Sequence, residues 1–99
     1  MPVYIILEIT VVDQGLYEQY VAQVPAVVEQ YRGRYLVRGG EVVALSGDWQ
    51  PERVVVLEFE SSDQAQDYLT STEYLALAPL REKSISSRAI IVPGYEYDL

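Results

Sequence analysis

From Val3 to Val11 the odd positions Val3, Ile5, Leu7, Ile9 and Val11 are all apolar, while Tyr4, Glu8 and Thr10 interrupt the even set. This period of two predicts a strand with one fully buried face and one mixed face. After Asp13, a residue whose carboxylate can cap a helix N-terminus, the spacing changes to three and four. Leu16, Tyr17, Tyr20, Val21, Val24, Val27, Val28 and Tyr31 form the apolar stripe of an amphipathic helix. Pro25 lies inside that stripe and lacks a backbone N–H, so a kink or break near Val21 to Val24 is expected. Gly33 is the expected left-handed residue closing the helix.

Arg34 to Arg38 reads as a second strand, followed by Gly39-Gly40, an extended arm from Glu41 to Leu45, and a turn-rich connection from Ser46 to Pro51. Arg53 to Phe59 reads as a third strand, with Val55, Leu57 and Phe59 on one face, antiparallel to the second. Ser61 and Gln64 have the spacing of a capping box, and Ala65, Tyr68, Leu69 and Thr72 supply the inner face of the helix that follows. Ser71 is placed to cap a further turn through Leu75 and Leu77, and Pro79 interrupts or restarts helical structure. Arg88 to Val92 is the last strand, closed by Pro93 and Gly94 and followed by an acidic, aromatic tail from Tyr95 to Leu99.

The order strand, helix, strand, strand, helix, strand with right-handed crossovers gives an α+β ferredoxin-like βαββαβ sandwich, antiparallel strand order 4-1-3-2, with both helices on one face. The other face then carries Tyr4, Ile6, Glu8, Val54, Val56 and Glu58 on the two central strands, too apolar to leave in water. A two-fold homodimer with sheets facing each other, enclosing a barrel-like interior, would cover it.

Ninety-nine residues make one small domain with a single core, so residues 1–99 are read as one unit. Seven basic against fifteen acidic residues give a net charge of -8, which argues against nucleic acid and anionic membranes as partners. No apolar run approaches the roughly 20 residues that span a bilayer, and the N-terminal segment lacks the basic start and cleavage site of a secretory leader, so a cytoplasmic protein is expected. Cysteine and histidine are both absent. Disulfides, thiolate chemistry, histidine-based triads and the usual zinc, copper and haem ligands are therefore excluded, and no metal or cofactor is expected.

The stretch from Tyr31 through Arg32-Gly33-Arg34-Tyr35-Leu36-Val37-Arg38 to Gly39-Gly40, followed by Gly47-Asp48-Trp49-Gln50-Pro51-Glu52-Arg53 and Val54 to Phe59, resembles the family named domain of unknown function 1330. Ser71-Thr72-Glu73-Tyr74 and Pro79-Leu80-Arg81 continue the resemblance, which runs from Tyr4 to Val92; Thr72 stands where the family often has proline. The resemblance implies a dimeric α/β-barrel fold with no established activity.

Glu8 and Glu58 fall on central strands and, by parity, on the same face, so a catalytic carboxylate pair in the dimer interior is one expectation. Low dielectric and like charge would raise the proton affinity of at least one. The alternative is that each is paired with an arginine such as Arg38 or Arg53 and fixes register. Arg38 beside Gly39-Gly40, with Tyr35, Trp49 and Arg53 from adjoining segments, forms a candidate ligand-binding set for a small anion; an arginine–aromatic stack holding a loop is the other reading. Tyr17, Tyr20, Tyr31 and Tyr68 read as core tyrosines, and Trp49 as a loop anchor. Two function classes remain open. One is a protein that binds a small anionic or aromatic molecule or acts as a cofactor-independent enzyme; the other is a structural or regulatory homodimer without chemistry.

Overall fold

A computed structural model describes residues 1–96, so Tyr97, Asp98 and Leu99 of the acidic tail lie outside the described residues, whereas Tyr95 and Glu96 are exposed. Its strands are β1 (Val3–Val11), β2 (Arg34–Arg38), β3 (Arg53–Phe59) and β4 (Ile85–Pro93). Its helices are α1 (Gln14–Gln30), α2 (Ser62–Leu69), α3 (Thr72–Ala76) and α4 (Ala78–Ser84). The strands form one antiparallel sheet ordered β2-β3-β1-β4, the expected 4-1-3-2 order read from its other edge. The fold is ferredoxin-like.

Register follows the alternation seen in the sequence. Ile5 faces Leu57 on one side and Ile91 on the other, while Ile6 faces Val56 and Ile90. Val3, Ile5, Ile9, Val55, Leu57 and Phe59 are buried under the helices with Val24, Val27, Val28, Ala65 and Tyr68. The opposite, outer face carries Tyr4, Ile6, Glu8, Val54, Val56 and Glu58, only partly covered. Between Tyr35 and Val37 the pairing of β2 with β3 shifts by one residue. Such a bulge turns the residues after it to the other face. Arg34 therefore lies opposite Glu58 on the outer face, while Arg38 lies opposite Val55 on the helix face.

The local helix signals act largely as expected. Leu16 N–H donates to Asp13 Oδ1 at 3.1 Å, Gln64 N–H to Ser61 Oγ at 3.2 Å and Tyr74 N–H to Ser71 Oγ at 3.0 Å. Pro79 sits in the first turn of α4, where its missing N–H has no intrahelical partner to lose.

Several expectations are corrected. Helix α1 runs unbroken through Pro25, because its buried stripe holds both halves of the helix against one core. Thr72 is not on the inner face of the second helix: α2 ends at Leu69, and Thr72 is exposed at the start of α3. Strand β4 begins at Ile85 rather than Arg88, since Ile85 to Ser87 pair with Val11 to Ile9.

The end of α1 also differs from the sequence reading. The left-handed residue is Arg32, at φ 63°, rather than Gly33. Arg32 N–H donates to Glu29 O at 3.0 Å and Gly33 N–H to Val28 O at 2.9 Å, the paired bonds of a Schellman closure. Gly33 is required for a different reason: a Cβ there would lie 2.6 Å from Phe59 Cε1 and 2.9 Å from Val28 Cγ1.

Two outcomes follow from this corner. Gly33→Ala overpacks the most buried aromatic and is expected to destabilise the chain by about 1–3 kcal/mol. Arg32→Gly relieves the left-handed conformation and is expected to stabilise it by ~0.5–1 kcal/mol, the relief offset in part by glycine's greater entropy when unfolded. Urea unfolding midpoints of the two variants against the parent check both signs.

Candidate ligand cavity between the helices and the sheet

The helix layer does not cover the sheet evenly. Beyond α1, the second half of that layer is three short helices, and α2, at eight residues, is about 12 Å long, whereas the seven-residue β3 beneath it spans about 23 Å. Long side chains bridge the remainder and leave a cavity of about 160 Å³. Its floor is Ile5, Leu7, Ile9, Val55 and Leu57 of the sheet, and Val21, Val24 and Leu69 close it from the helices. Tyr17 and Tyr20 of α1, Tyr35 of β2, Tyr68 of α2 and Tyr74 of α3 line it, and Arg38 and Arg53 stand at its β2–β3 side. Ala89, a small residue on β4, opens the far wall.

The tyrosines form a packed set centred on Tyr68, whose ring lies 5.1 Å from Phe59, 4.7 Å from Tyr74 and 6.5 Å from Tyr31. Burial pushes the Tyr20 hydroxyl up to about 12 and raises Tyr68 further, so both remain protonated donors at any physiological pH. Tyr35 is raised by burial and lowered in part by Arg38. The guanidinium carbon of Arg38 lies 4.9 Å from the Tyr35 ring centre, that of Arg53 5.4 Å from Tyr17, and that of Arg81 4.5 Å from Tyr74. Arg81 Nη1 is buried without a hydrogen-bond partner.

Of the residues singled out in the sequence, the fold brings Tyr35, Arg38 and Arg53 together at this cavity. Trp49 is elsewhere. The connection between β2 and β3 folds over the outer face, and Trp49, 58% exposed, donates from Nε1 to Glu8 Oε2 at 3.2 Å. It is tethered by one hydrogen bond rather than buried as an anchor.

Glu8 and Glu58 do share the outer face, but they are not a carboxylate pair within the chain. Glu58 faces Tyr4, four residues along β1 from Glu8, a separation of about 13 Å. Glu8 Oε2 instead meets Arg88 Nη2 at 2.6 Å, and Glu58 Oε1 meets Arg34 Nε at 2.6 Å. Arg88 and then Trp49 hold the Glu8 carboxyl below its ordinary 4.5, and Arg34, with a smaller contribution from the Tyr4 hydroxyl, does the same for Glu58. Within one chain the proton affinity of both carboxylates is therefore lowered rather than raised. The arginine partners are Arg88 and Arg34 rather than Arg38 or Arg53.

Sequence reading assigned Tyr17, Tyr20 and Tyr68 to the core and passed over Tyr74 and Arg81. A signal was present: the chain has nine tyrosines and one phenylalanine. A core needing only aromatic bulk has no use for so many hydroxyls, whereas a wall that must be both apolar and hydrogen-bonding does.

The raised tyrosines have a consequence for stability. The ordinary value of 10.0 applies to Tyr20 once unfolded, against about 12 when folded. Stability from its burial is fully present below pH 10 and lost as pH rises through about 12, because the unfolded chain releases the proton first. Urea midpoints recorded at pH 9 and pH 11 are expected to drop less for Tyr20→Phe than for the parent.

No match is found among curated proteins. Among solved structures, a protein of unknown function from Rhodopseudomonas palustris superposes with a TM-score of 0.80 at 16% identity, over 97% of this chain and 84% of that one. SnoaB, a cofactor-independent oxygenase from Streptomyces nogalater, gives a TM-score of 0.67 at 13% identity, over 97% and 95%. A dimeric protein of unknown function with a ferredoxin-like fold from Bacteroides fragilis gives 0.62 at 14%, over 97% and 96%. These likenesses establish the fold. The model of the family described as Domain of unknown function (DUF1330) matches residues 2–95, and with that match over almost the whole sequence the chain belongs to this family.

Proposed function

We propose that this protein is a homodimer in which each chain binds a small, ring-sized molecule in the cavity between helices and sheet. The cavity carries the reading: it has apolar walls, five tyrosines and no carboxylate. Its volume of about 160 Å³ matches the roughly 150 Å³ in which an apolar cavity accepts benzene. Buried tyrosine hydroxyls next to it supply the few polar contacts that orient a ligand.

The homodimer rests on surface area and charge. A monomeric protein of 11.2 kDa exposes about 5,700 Å², whereas this chain exposes 6715 Å². The excess of about 1,000 Å² is comparable to the ~800 Å² each partner contributes to a standard interface. The outer face and the arm beside it present Val37, Val43, Leu45, Trp49 and Ile90 to solvent, and the Glu8–Arg88 and Glu58–Arg34 pairs put both signs of charge on that face. A face of this kind is self-complementary across a two-fold axis. The Bacteroides fragilis protein of similar fold is dimeric.

The cofactor-independent oxygenase of similar fold is an example of this architecture hosting chemistry without a cofactor. Here no carboxylate lines the cavity, so binding is the reading preferred over proton abstraction, and Glu8 and Glu58 are assigned to the dimer face.

Titration with phenol, followed by tyrosine emission and by a crystal structure of the complex, tests the cavity. Phenol is expected among Tyr17, Tyr35 and Tyr68 with a raised unfolding temperature; a protein that does not bind it refutes the reading. Sedimentation is expected to give twice the chain mass for the parent and the chain mass for Ile90→Glu. Glu8→Gln is expected to weaken the dimer while leaving phenol affinity within about twofold, since Glu8 lies on the far side of the sheet from the cavity and its removal leaves Arg88 unpaired at the interface.

A further inference from the structure

The four strands carry four arginines, two on each face of the sheet, and the two faces treat them differently. On the outer face Arg34 and Arg88 are each ion-paired at 2.6 Å. On the helix face, Arg38 and Arg53 have no carboxylate partner among the described residues. This occurs in a chain with fifteen acidic residues and a net charge of -8, where a partner would be easy to supply. Each guanidinium is instead laid on a tyrosine ring, Arg38 on Tyr35 and Arg53 on Tyr17. A ring face orients a guanidinium while leaving its in-plane N–H donors available.

The register also sets the two arginines near each other on one face. Arg38 is paired with Val55, and Arg53 lies two residues before Val55 on the same strand, so the pair occupies a diagonal on one face, within reach of each other's long side chains. Like charges so placed repel, and an anion between them would relieve that repulsion. The backbone beside them lets the Arg53 guanidinium lie close against it. Gly39, at φ +86°, has no Cβ, and a Cβ there would sit 2.5 Å from Arg53 Nη1. A Cβ on Gly40, at φ +96°, would meet nothing within 4 Å.

Resting on the cavity reading above, we infer that the ligand is a ring-sized carboxylate, its carboxylate bridging Arg38 and Arg53 beside Gly39 and its ring lying among Tyr17, Tyr35 and Tyr68. A planar carboxylate matches the fork of a guanidinium bidentately, and the cavity behind the arginines has room for one ring. The apolar floor selects against small inorganic anions, which would leave the tyrosine-lined space empty.

The test is calorimetric titration with benzoate and with its neutral isostere benzamide, at low and high salt, for the parent and for Arg38→Gln, Arg53→Gln and the double variant, with Lys83→Gln as a control for loss of one positive charge elsewhere. Benzoate is expected to bind the parent and Lys83→Gln at least about tenfold more tightly than benzamide, the scale of charge-assisted hydrogen bonds. The preference is expected to fall below about threefold in the double variant and to shrink with salt in the parent, a readout that needs no substitution. Equal binding of the two compounds to the parent overturns the carboxylate while leaving the cavity reading intact. A benzoate preference that survives the double variant overturns the assignment to Arg38 and Arg53. If phenol, benzamide and benzoate all fail to bind, both readings fall together.

Discussion

Backbone pairing of β1 with a strand on each side is the interaction on which the rest of this structure depends. It fixes the register of β3 and β4 to one strand, and with it the face that every side chain on all three occupies. Slipping the β1–β3 pair by one residue would move Phe59 and Leu57 into solvent and bring Glu58 under the helices, so the buried apolar set holds the register as firmly as the hydrogen bonds do. The sheet thereby acquires two chemically distinct sides. One is apolar and aromatic, with arginines laid on tyrosine rings; the other is mixed, with its charges neutralised pairwise.

Tyrosine is the residue through which the helix side reconciles packing with polarity. Tyr17, Tyr20 and Tyr68 are as buried as the aliphatic residues around them, and their rings contribute apolar area as phenylalanine would. Their hydroxyls must still be accommodated, which favours a wall with some space and some hydrogen-bonding capacity over a solid core. The short helices from Ser62 to Ser84 provide that space, because α2 ends well before the sheet does. An incompletely covered sheet and a tyrosine-rich lining are thus two aspects of one packing solution.

Much of this was legible in the sequence because it is local. Strand parity, the caps at Asp13, Ser61 and Ser71, and the restart at Pro79 each depend on residues within a few positions of one another. What could not be read depends on contacts across the fold. Whether Pro25 breaks α1 is decided by the core on which both halves rest. The left-handed conformation after α1 falls on Arg32, while Gly33 is kept a glycine by Phe59, which is distant in sequence. The arginine partners were misjudged for a similar reason. Arg34 and Arg38 have the same parity, and only the bulge between Tyr35 and Val37 sends one to each face. Trp49 sits in an irregular connection, where no periodicity reports a face at all.

The alternation along β3 has an evolutionary consequence. Arg53, Val55 and Leu57 border the cavity, while Val54, Val56 and Glu58 lie on the opposite surface, interleaved residue by residue within one short strand. On the proposed function, codons that are direct neighbours answer to separate selective pressures, one set by what the cavity holds and the other by what covers the sheet. Drift in one set need not disturb the other, so members of such a lineage can diverge in chemical preference while keeping one mode of assembly, or the reverse.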